Sequence, residues 1–194
     1  YDAKYNFVLG KGYETTFGVN GMYQNNSLGY GTDFPIPAYK QFDFGPFFVI
    51  KKTFGKLDLS GGARFDTRSF NGQAAYLDTT VPYYPKLYVG DKPASGFNTE
   101  QFTALKKTFS GPSGSFGGAY NFSDKFLLKA NVASGFRAPS IAELSANGAD
   151  PGSQIFHVGN SNFKPEFSVQ GDFGAFLTLK NVSASVELFD NHND

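Results

Sequence analysis

The chain has 194 residues, and its 17 lysines and arginines are matched by 17 aspartates and glutamates. That length suits one domain or a piece of a larger one, and a chain with no basic surplus is not built to neutralise a nucleic-acid backbone. There is no cysteine and there are only two histidines, His157 and His192. A disulfide scaffold, a thiolate zinc site, a cysteine nucleophile and a multi-histidine metal centre are thereby excluded, and no cofactor or metal is expected.

The 23 Phe and 11 Tyr outnumber the 27 Leu, Ile and Val residues, Gly is also abundant at 23, and mean hydropathy is −0.31. Aromatics, Gly and Ser without a long apolar run predict β structure whose two faces meet different surroundings. No stretch approaches the length of a membrane-crossing helix. The chain opens at Tyr1, inside an alternating run, with no initiator Met and no signal peptide. It reads as an internal segment of a longer mature protein.

Alternation of apolar and polar residues predicts about eight strands. The first alternates Tyr1, Ala3, Tyr5 and Phe7 with Asp2, Lys4 and Asn6, and the second alternates Tyr13, Phe17 and Val19 with Glu14, Thr16 and Asn20. The third sets Phe42, Phe44 and Ile50 against Gln41, Asp43 and Lys51, with Phe47 and Val49 interrupting the pattern. The fourth is clearer: Leu57, Leu59, Gly61, Ala63 and Phe65 oppose Asp58, Ser60, Gly62, Arg64 and Asp66. A Gly- and Ser-rich fifth strand carries Phe116, Tyr120 and Phe122. The sixth sets Phe126, Leu128 and Val132 against Lys129 and Asn131, the seventh Val169, Phe173 and Leu177 against Gln170 and Asp172, the eighth Val186 and Leu188 against Ser185 and Glu187. Phe65, Phe126, Val132, Phe173 and Leu177 are expected on one face, and Arg64, Lys129 and Asp172 on the other.

The connections alternate in length. Gly10-Lys11-Gly12, Phe54-Gly55-Lys56, Ser123-Asp124 and Lys180-Asn181 are tight turns, whereas residues 26–39, 69–108 and 137–165 are long. Tight turns at one end and long loops at the other are the habit of an outer-membrane barrel. A soluble sandwich or lipocalin also alternates, with the apolar face inward. Mid-strand charges such as Asp58, Arg64 and Lys129 tilt against that reading, because on a solvated lumen wall they need no special partner and in a dry core they would.

No nucleophile, base and acid assemble into a catalytic constellation, so an enzyme is not expected. Gly61-Gly62-Ala63 and Gly117-Gly118-Ala119 lie within strands and are not phosphate loops. Ser140 three residues before Glu143 fits a capping box, which predicts one helical turn within Pro139–Ser145.

The stretch from Asn131 to Gly174 contains Gly135-Phe136-Arg137-Ala138-Pro139, then Ala142-Glu143-Leu144, then Gly159-Asn160, then Asn162-Phe163-Lys164-Pro165-Glu166. These pieces resemble the conserved boxes of the TonB-dependent outer-membrane receptors, in particular those of Bacteroidetes-type bacteria. Ser161 and Phe163 depart mildly from the family's usual Pro and Leu. Gly61-Gly62-Ala63-Arg64-Phe65-Asp66 resembles a further strand motif of that family. The resemblance implies an all-β fold: an antiparallel up-and-down transmembrane β-barrel segment of about eight strands, within a barrel of about 22. It further implies a plug domain in the same polypeptide, a TonB energy-coupling complex acting through that plug, and a location in the bacterial outer membrane among its lipids, and it leaves room for a surface lipoprotein partner. The function implied is active uptake of a scarce ligand such as a ferric siderophore, haem or cobalamin. A secreted glycan-binding sandwich and a passive porin are the alternatives.

Tyr76, Tyr83, Tyr84 and Tyr88 in the longest loop, with rigid apolar bodies and polar tips, are the candidate ligand contacts, joined by His157 between the two boxes. Arg64, Asp66, Arg137, Glu143, Asn160 and Asn162 are the candidates for anchoring loops or plug. Arg137, near the long-loop end of its strand, is placed to hold loop carbonyls or a plug carboxylate.

Overall fold

The computed structural model describes residues 1–29, 34–78, 80, 86–93, 98–150 and 152–194. Eight long strands form one antiparallel sheet: β1 (Asp2–Leu9), β2 (Tyr13–Asn26), β3 (Tyr39–Phe54), β4 (Leu57–Gly72), β8 (Leu105–Ser123), β9 (Phe126–Arg137), β12 (Glu166–Thr178) and β13 (Ser183–Asn193). Each pairs with its predecessor and successor among these eight, giving an up-and-down meander with β1 and β13 at its open edges. Between β4 and β8, β5 (Ala75–Asp78), β6 (Lys86–Val89) and β7 (Asn98–Phe102) make a separate three-stranded sheet in the order β6-β5-β7. Between β9 and β12 lie α1 (Ile141–Ser145) and the hairpin of β10 (Asn147–Ala149) with β11 (Phe156–Val158).

The short turns behave as expected. Lys11 and Gly12 both hold positive φ, and Gly55 at φ +60° opens a two-residue turn between Phe54 and its partner Leu57. The strands overrun the predicted loop limits, however. β4 continues to Gly72 and β8 begins at Leu105, because Ser69–Thr108, Asn71–Lys106 and Gly72–Leu105 still pair across the ladder.

Opposite residues in an antiparallel pair share a face, so the register sorts the whole sheet. Lys4, Gly18, Phe47, Arg64 and Ser113 stand in one row. Ala119, Lys129, Gly174 and Glu187 stand in another on the same face, as do Asn131 and Asp172. The opposite face carries Phe17, Phe48, Ala63 and Gly114, and Leu59, Gly118, Ala130, Phe173 and Leu188. The expected segregation of Phe65, Phe126, Val132, Phe173 and Leu177 from Arg64, Lys129 and Asp172 holds throughout. Phe47, one of the apolar residues on the other face, is explained by packing. It lies on the polar face, where its ring covers Gly18 and the Arg64 guanidinium stacks 6.0 Å from its centroid.

The apolar face ends in aromatics at the tight-turn end. Tyr13 packs on Phe54 and Tyr120 on Phe122, which meets Phe126, while the Lys52 ammonium lies over Tyr13 and Phe54. At the long-loop end the last apolar residue is Tyr23 on β2, Phe42 on β3, Phe65 on β4 and Leu188 on β13. Traced through the register, Tyr23 lies level with Ser69 of β4, and Leu188 level with Leu59. Between β2 and β13 that edge drops roughly 33 Å along the strands, most of it at β13, because Phe167 on β12 and its partner Phe136 on β9 carry the apolar face two residues past the row of Ala63, Gly114, Ser134 and Val169. A concavity of about 720 Å³ between Phe116, Phe173 and Leu188 opens largely on this apolar face.

A small core sits where the polar face meets the long loops. Tyr39, Phe70, Leu105 and Phe109 on the sheet are buried with Ala138, Ile141 and Leu144 from the β9–β12 connection, and Ile36 and Phe136 pack against them. These apolar residues of the polar face lie where a loop folds back to cover them.

Candidate functional site

The mouth formed by the long connections is held by one arginine. Arg137, the last residue of β9, is opposite Glu166, the first of β12. Its Nε and Nη2 donate to the Glu166 carboxylate, both at 2.7 Å, and its Nη1 and Nη2 donate to Glu143 at 3.0 Å. A guanidinium is the side chain that can serve two carboxylates this way, since it offers its donors in a planar fork. Sequence reasoning offered loop carbonyls or a plug carboxylate as partners for Arg137. The structure gives it two carboxylates of this chain, Glu143 of α1 and Glu166 at the start of β12.

Glu143 is also the third residue of α1. Its carboxylate accepts from the Ser140 backbone N–H at 2.7 Å, and the Ser140 hydroxyl accepts from the Glu143 N–H at 3.3 Å. The expected capping box is therefore present, and one carboxylate closes the helix start and the Arg137 clamp together. The Arg137 guanidinium, and next the Ser140 N–H, hold the Glu143 carboxyl at about 2, down from 4.5. A carboxylate with a depressed pKa stabilises the fold fully above its ordinary pKa and loses that contribution as pH falls through the lowered value. Amide protection of α1 is thus expected to stay level from neutral pH to about 4.5 and to decline between about 4.5 and 2. Glu143→Gln should lower protection at neutral pH and flatten that acid decline; hydrogen exchange over Ser140–Ala146 as a function of pH reads both.

The second box closes the other end of α1. Gly159 donates to the Ala146 carbonyl at 2.7 Å and Asn160 to the Glu143 carbonyl at 2.7 Å. The Asn160 side-chain oxygen accepts from the Asn162 N–H at 2.9 Å, an Asx turn that sends the chain back towards β12. Asn162 takes part through its backbone. A Cβ on Gly159 would lie 2.5 Å and 2.6 Å from the backbone nitrogens of Ser145 and Ala146. Gly159→Ala is therefore expected to displace the box from the helix at a cost of about 1–3 kcal/mol, detected as raised exchange at Ala146 and Asn160 with the transmembrane ladder unchanged.

The long connections also hold each other. Asn147 donates its side-chain amide to the Gln101 carbonyl at 2.7 Å, and the Gln101 amide returns a bond to the Asn147 carbonyl. The Asn147 N–H reaches the Pro35 carbonyl at 3.1 Å, and Gln73 donates to Ala38 at 2.9 Å. Segments of all three long connections are thereby tied together.

Below the mouth the polar wall carries paired charges. Arg64 donates through Nε to both oxygens of Asp66 and through Nη1 to Asn20 at 2.6 Å. Arg68 holds Asp43 in a two-point contact at 3.0 and 2.8 Å, and Asp43 accepts from Gln41. Gly45, opposite this cluster, leaves the space that Arg64 and Asp66 fill. These groups border a groove of about 430 Å³ that runs up to Arg137.

Tyr76 and Tyr88 are direct cross-strand partners at the centre of β5 and β6, both half-buried, with the Lys86 ammonium 4.9 Å from the Tyr88 ring. Tyr83 and Tyr84 lie outside the described residues. His157 is exposed in β11 opposite Gly148. Among the described residues no hydrogen bond or ring contact joins it to Tyr76 or Tyr88, and no group of three or more metal-ligating side chains comes together. Sequence reasoning missed Glu166 as the second arm of the clamp, and Asn20, Asp43 and Arg68 on the wall. Glu166 was readable as the last residue of its own box; the wall partners come from other strands and depend on register.

The chain matches, over residues 1–194, the family described as TonB dependent receptor-like, beta-barrel. No curated protein matches it. Among solved structures it is similar to a double mutant of the Serratia marcescens hemophore receptor HasR, in complex with its hemophore HasA and haem. The two are 20% identical with a TM-score of 0.72, and the likeness covers 100% of this chain and 32% of that one. The chain therefore spans about a third of that receptor's length, and its open-edged sheet is a sector of a larger barrel. With a family match along its whole length, a polar wall, an apolar opposite face and long connections gathered at one end, this chain belongs to the β-barrel domain of the TonB-dependent receptors.

Proposed function

We propose that the receptor containing this chain takes up a scarce ligand, a ferric siderophore, haem or cobalamin, across the bacterial outer membrane, driven by a TonB complex acting on a plug domain of the same polypeptide. The polar face is the lumen wall against which the plug sits, and the apolar face meets lipid. Arg64, Asp66, Arg137, Glu143, Asn160 and Asn162 hold the wall and the mouth in shape. Tyr76, Tyr83, Tyr84 and Tyr88 contact the ligand, with His157 a further contact on the β10–β11 hairpin, and a surface lipoprotein is a possible additional partner.

The observation that carries this reading is the mouth itself: three connections bound to one another above a charged groove, with a tyrosine pair on the longest of them. Tyrosine supplies broad apolar contact with little conformational entropy to lose, which suits a planar aromatic chelate or macrocycle. The likeness to a receptor solved with its hemophore and haem supports a ligand of this kind. A passive porin would not need this concentration of mutual loop contacts over its opening.

The test is ligand affinity of the full receptor. Tyr76→Ala with Tyr88→Ala should weaken binding of the cognate chelate by about tenfold or more, since stacked aromatic contacts contribute about 0.5–1.5 kcal/mol each beyond their buried area. Folded yield should be unchanged, because β5 and β6 lie outside the transmembrane ladder. If binding of ferric siderophores, haem and cobalamin is unaltered, the loop is a spacer and the ligand site lies elsewhere.

A further inference from the structure

Acidic charge is sorted between the two faces of the sheet, with one carboxylate out of place. Registered through the eight long strands, Asp190 of β13 stands on the apolar face, and every other carboxylate of those strands stands on the polar one. Asp190 pairs with Gly171 of β12, in one row with Val132, Phe116 and Ile50. The next residues on its own face of β13, towards the tight turn, are Leu188 and Val186.

The neighbouring strand fixes its level. Outward positions of β12 run from Leu177, paired with Phe126 of the tight-turn aromatics, through Phe173 and Val169 to Phe167, whose ring centroid is 5.5 Å from that of Phe136. Leu177 to Phe167 is about 34 Å of strand, or about 24 Å of depth at a tilt of about 45°, which is the height of an outward apolar band. Asp190 lies about 13 Å of strand short of the Phe167 level. Crossing one strand spacing at that tilt moves a flat lipid boundary by about 5 Å along the strand, so the carboxylate stands inside the band. An ionisable group there needs a partner. The described residues supply none: a Cβ on Gly171 would meet nothing within 4 Å, the His192 imidazole lies 3.7 Å from Asp194, and Asp190 joins no ion pair among them. The side that remains is the open edge of β13.

In the complete barrel that edge is paired, because a closed barrel leaves no edge free. Facing side chains of paired strands stand about 4.5–5.5 Å apart at Cβ, and diagonal ones about 7–8 Å. We infer that the strand closing on β13 carries a lysine or arginine on its outward face, opposite Asp190 or one diagonal step from it. The long cationic side chain binds the carboxylate while its stem covers apolar wall. The pair fixes the register of this seam, since a slip of one residue turns the cation into the lumen and leaves Asp190 alone in lipid. The inference rests on the membrane orientation given under the proposed function, and it concerns closure of the wall, outside the ligand path.

The experiment uses the full receptor, folded into phosphatidylcholine vesicles and unfolded with urea, with folded fraction read by heat-modifiable migration. Asp190→Asn and Asp190→Leu should each lower the folded-to-unfolded ratio about tenfold or more, because each strands the cation. Glu187→Gln, on the polar face of the same strand, should leave the ratio unchanged. Replacing the basic residue of the closing strand by methionine should cost a similar factor alone and restore most of the loss when combined with Asp190→Leu. A receptor with no lysine or arginine at the opposite or diagonal outward positions of that strand overturns the inference. So does a gain in stability for Asp190→Leu, which marks a bare acid facing lipid, and so does an unchanged ratio for Asp190→Asn, which marks a neutral or water-exposed carboxyl. An equal loss from Glu187→Gln, or no restoration in the double variant, overturns it as well. Failure of the unaltered receptor to insert and show heat-modifiable migration would sink the membrane orientation itself, whereas a correctly inserted receptor with any of those outcomes sinks this inference alone.

Discussion

Replacing Phe173 by arginine in the full receptor is expected to cost about 2–4 kcal/mol of folded stability in a bilayer, the penalty of an arginine facing lipid near mid-depth. Phe173 is half exposed on the apolar face, in one row with Ala130, Gly118 and Leu188, none of which carries a polar side chain. Gln170→Arg, three residues away in the same strand, is the matched control. Gln170 lies on the polar face and donates to Asp172 at 2.7 Å, so an arginine there gains a carboxylate neighbour and stays in water. Folded fraction in vesicles against urea, read by heat-modifiable migration, should fall for the first variant and hold for the second. A soluble sandwich would give the opposite ranking, or would reject both.

Phe70→Ala should be the most damaging single change at the mouth. Phe70 is 2% exposed and is the centre on which Tyr39 packs edge-on at 6.2 Å, with Leu144 of α1, also 2% exposed, in the same cluster. Truncation of a buried phenylalanine costs about 3–5 kcal/mol. Here the loss falls on the docking of α1 and its two boxes, because the ladder on either side of Phe70, Gln41 with Phe70 and Phe70 with Lys107, keeps its backbone bonds. Leu144→Ala, approaching from the helix side, should give about 2–5 kcal/mol and be non-additive with Phe70→Ala, since both empty one cluster. Hydrogen exchange should rise across residues 138–146 and 159–163 and stay low in the lower half of β4 and β8. Uniform loss of protection along β4 would contradict a mouth core separable from the barrel wall.

The transmembrane part of this fold was legible because a barrel wall enforces period two on every strand. β4, β9, β12 and β13 read cleanly, and the glycine turns marked one end. The mouth was only partly legible. Ser140 and Glu143 announced the capping box, because that motif is local. Phe70, Leu105 and Phe109 could not be placed, since they are apolar on a polar face and make sense only under α1, dozens of residues away in sequence. Phe47 likewise breaks the alternation for a reason held on another strand, the bare backbone of Gly18 beneath its ring. The short strands β5, β6, β7, β10 and β11 have three to five residues each, too few for any period to register. Among the candidate site residues, Arg64 and Asp66 were legible as a pair two apart on one face. The partition of Arg137 between two boxes was not, because it depends on how the loop returns.

This chain has no cysteine, so single cysteines introduced into it, with any cysteine elsewhere in the receptor replaced, open the two-faced wall to direct measurement. Spin labels placed one at a time from Phe126 to Val132 in the full receptor, reconstituted in vesicles, report contact with lipid-soluble oxygen against a water-soluble nickel chelate. The ratio should swing at every residue, with oxygen favoured at Phe126, Leu128, Ala130 and Val132 and nickel at Leu127, Lys129 and Asn131. A flat profile, or the reverse phase with Lys129 in lipid, would contradict the assignment of these faces and with it the membrane barrel.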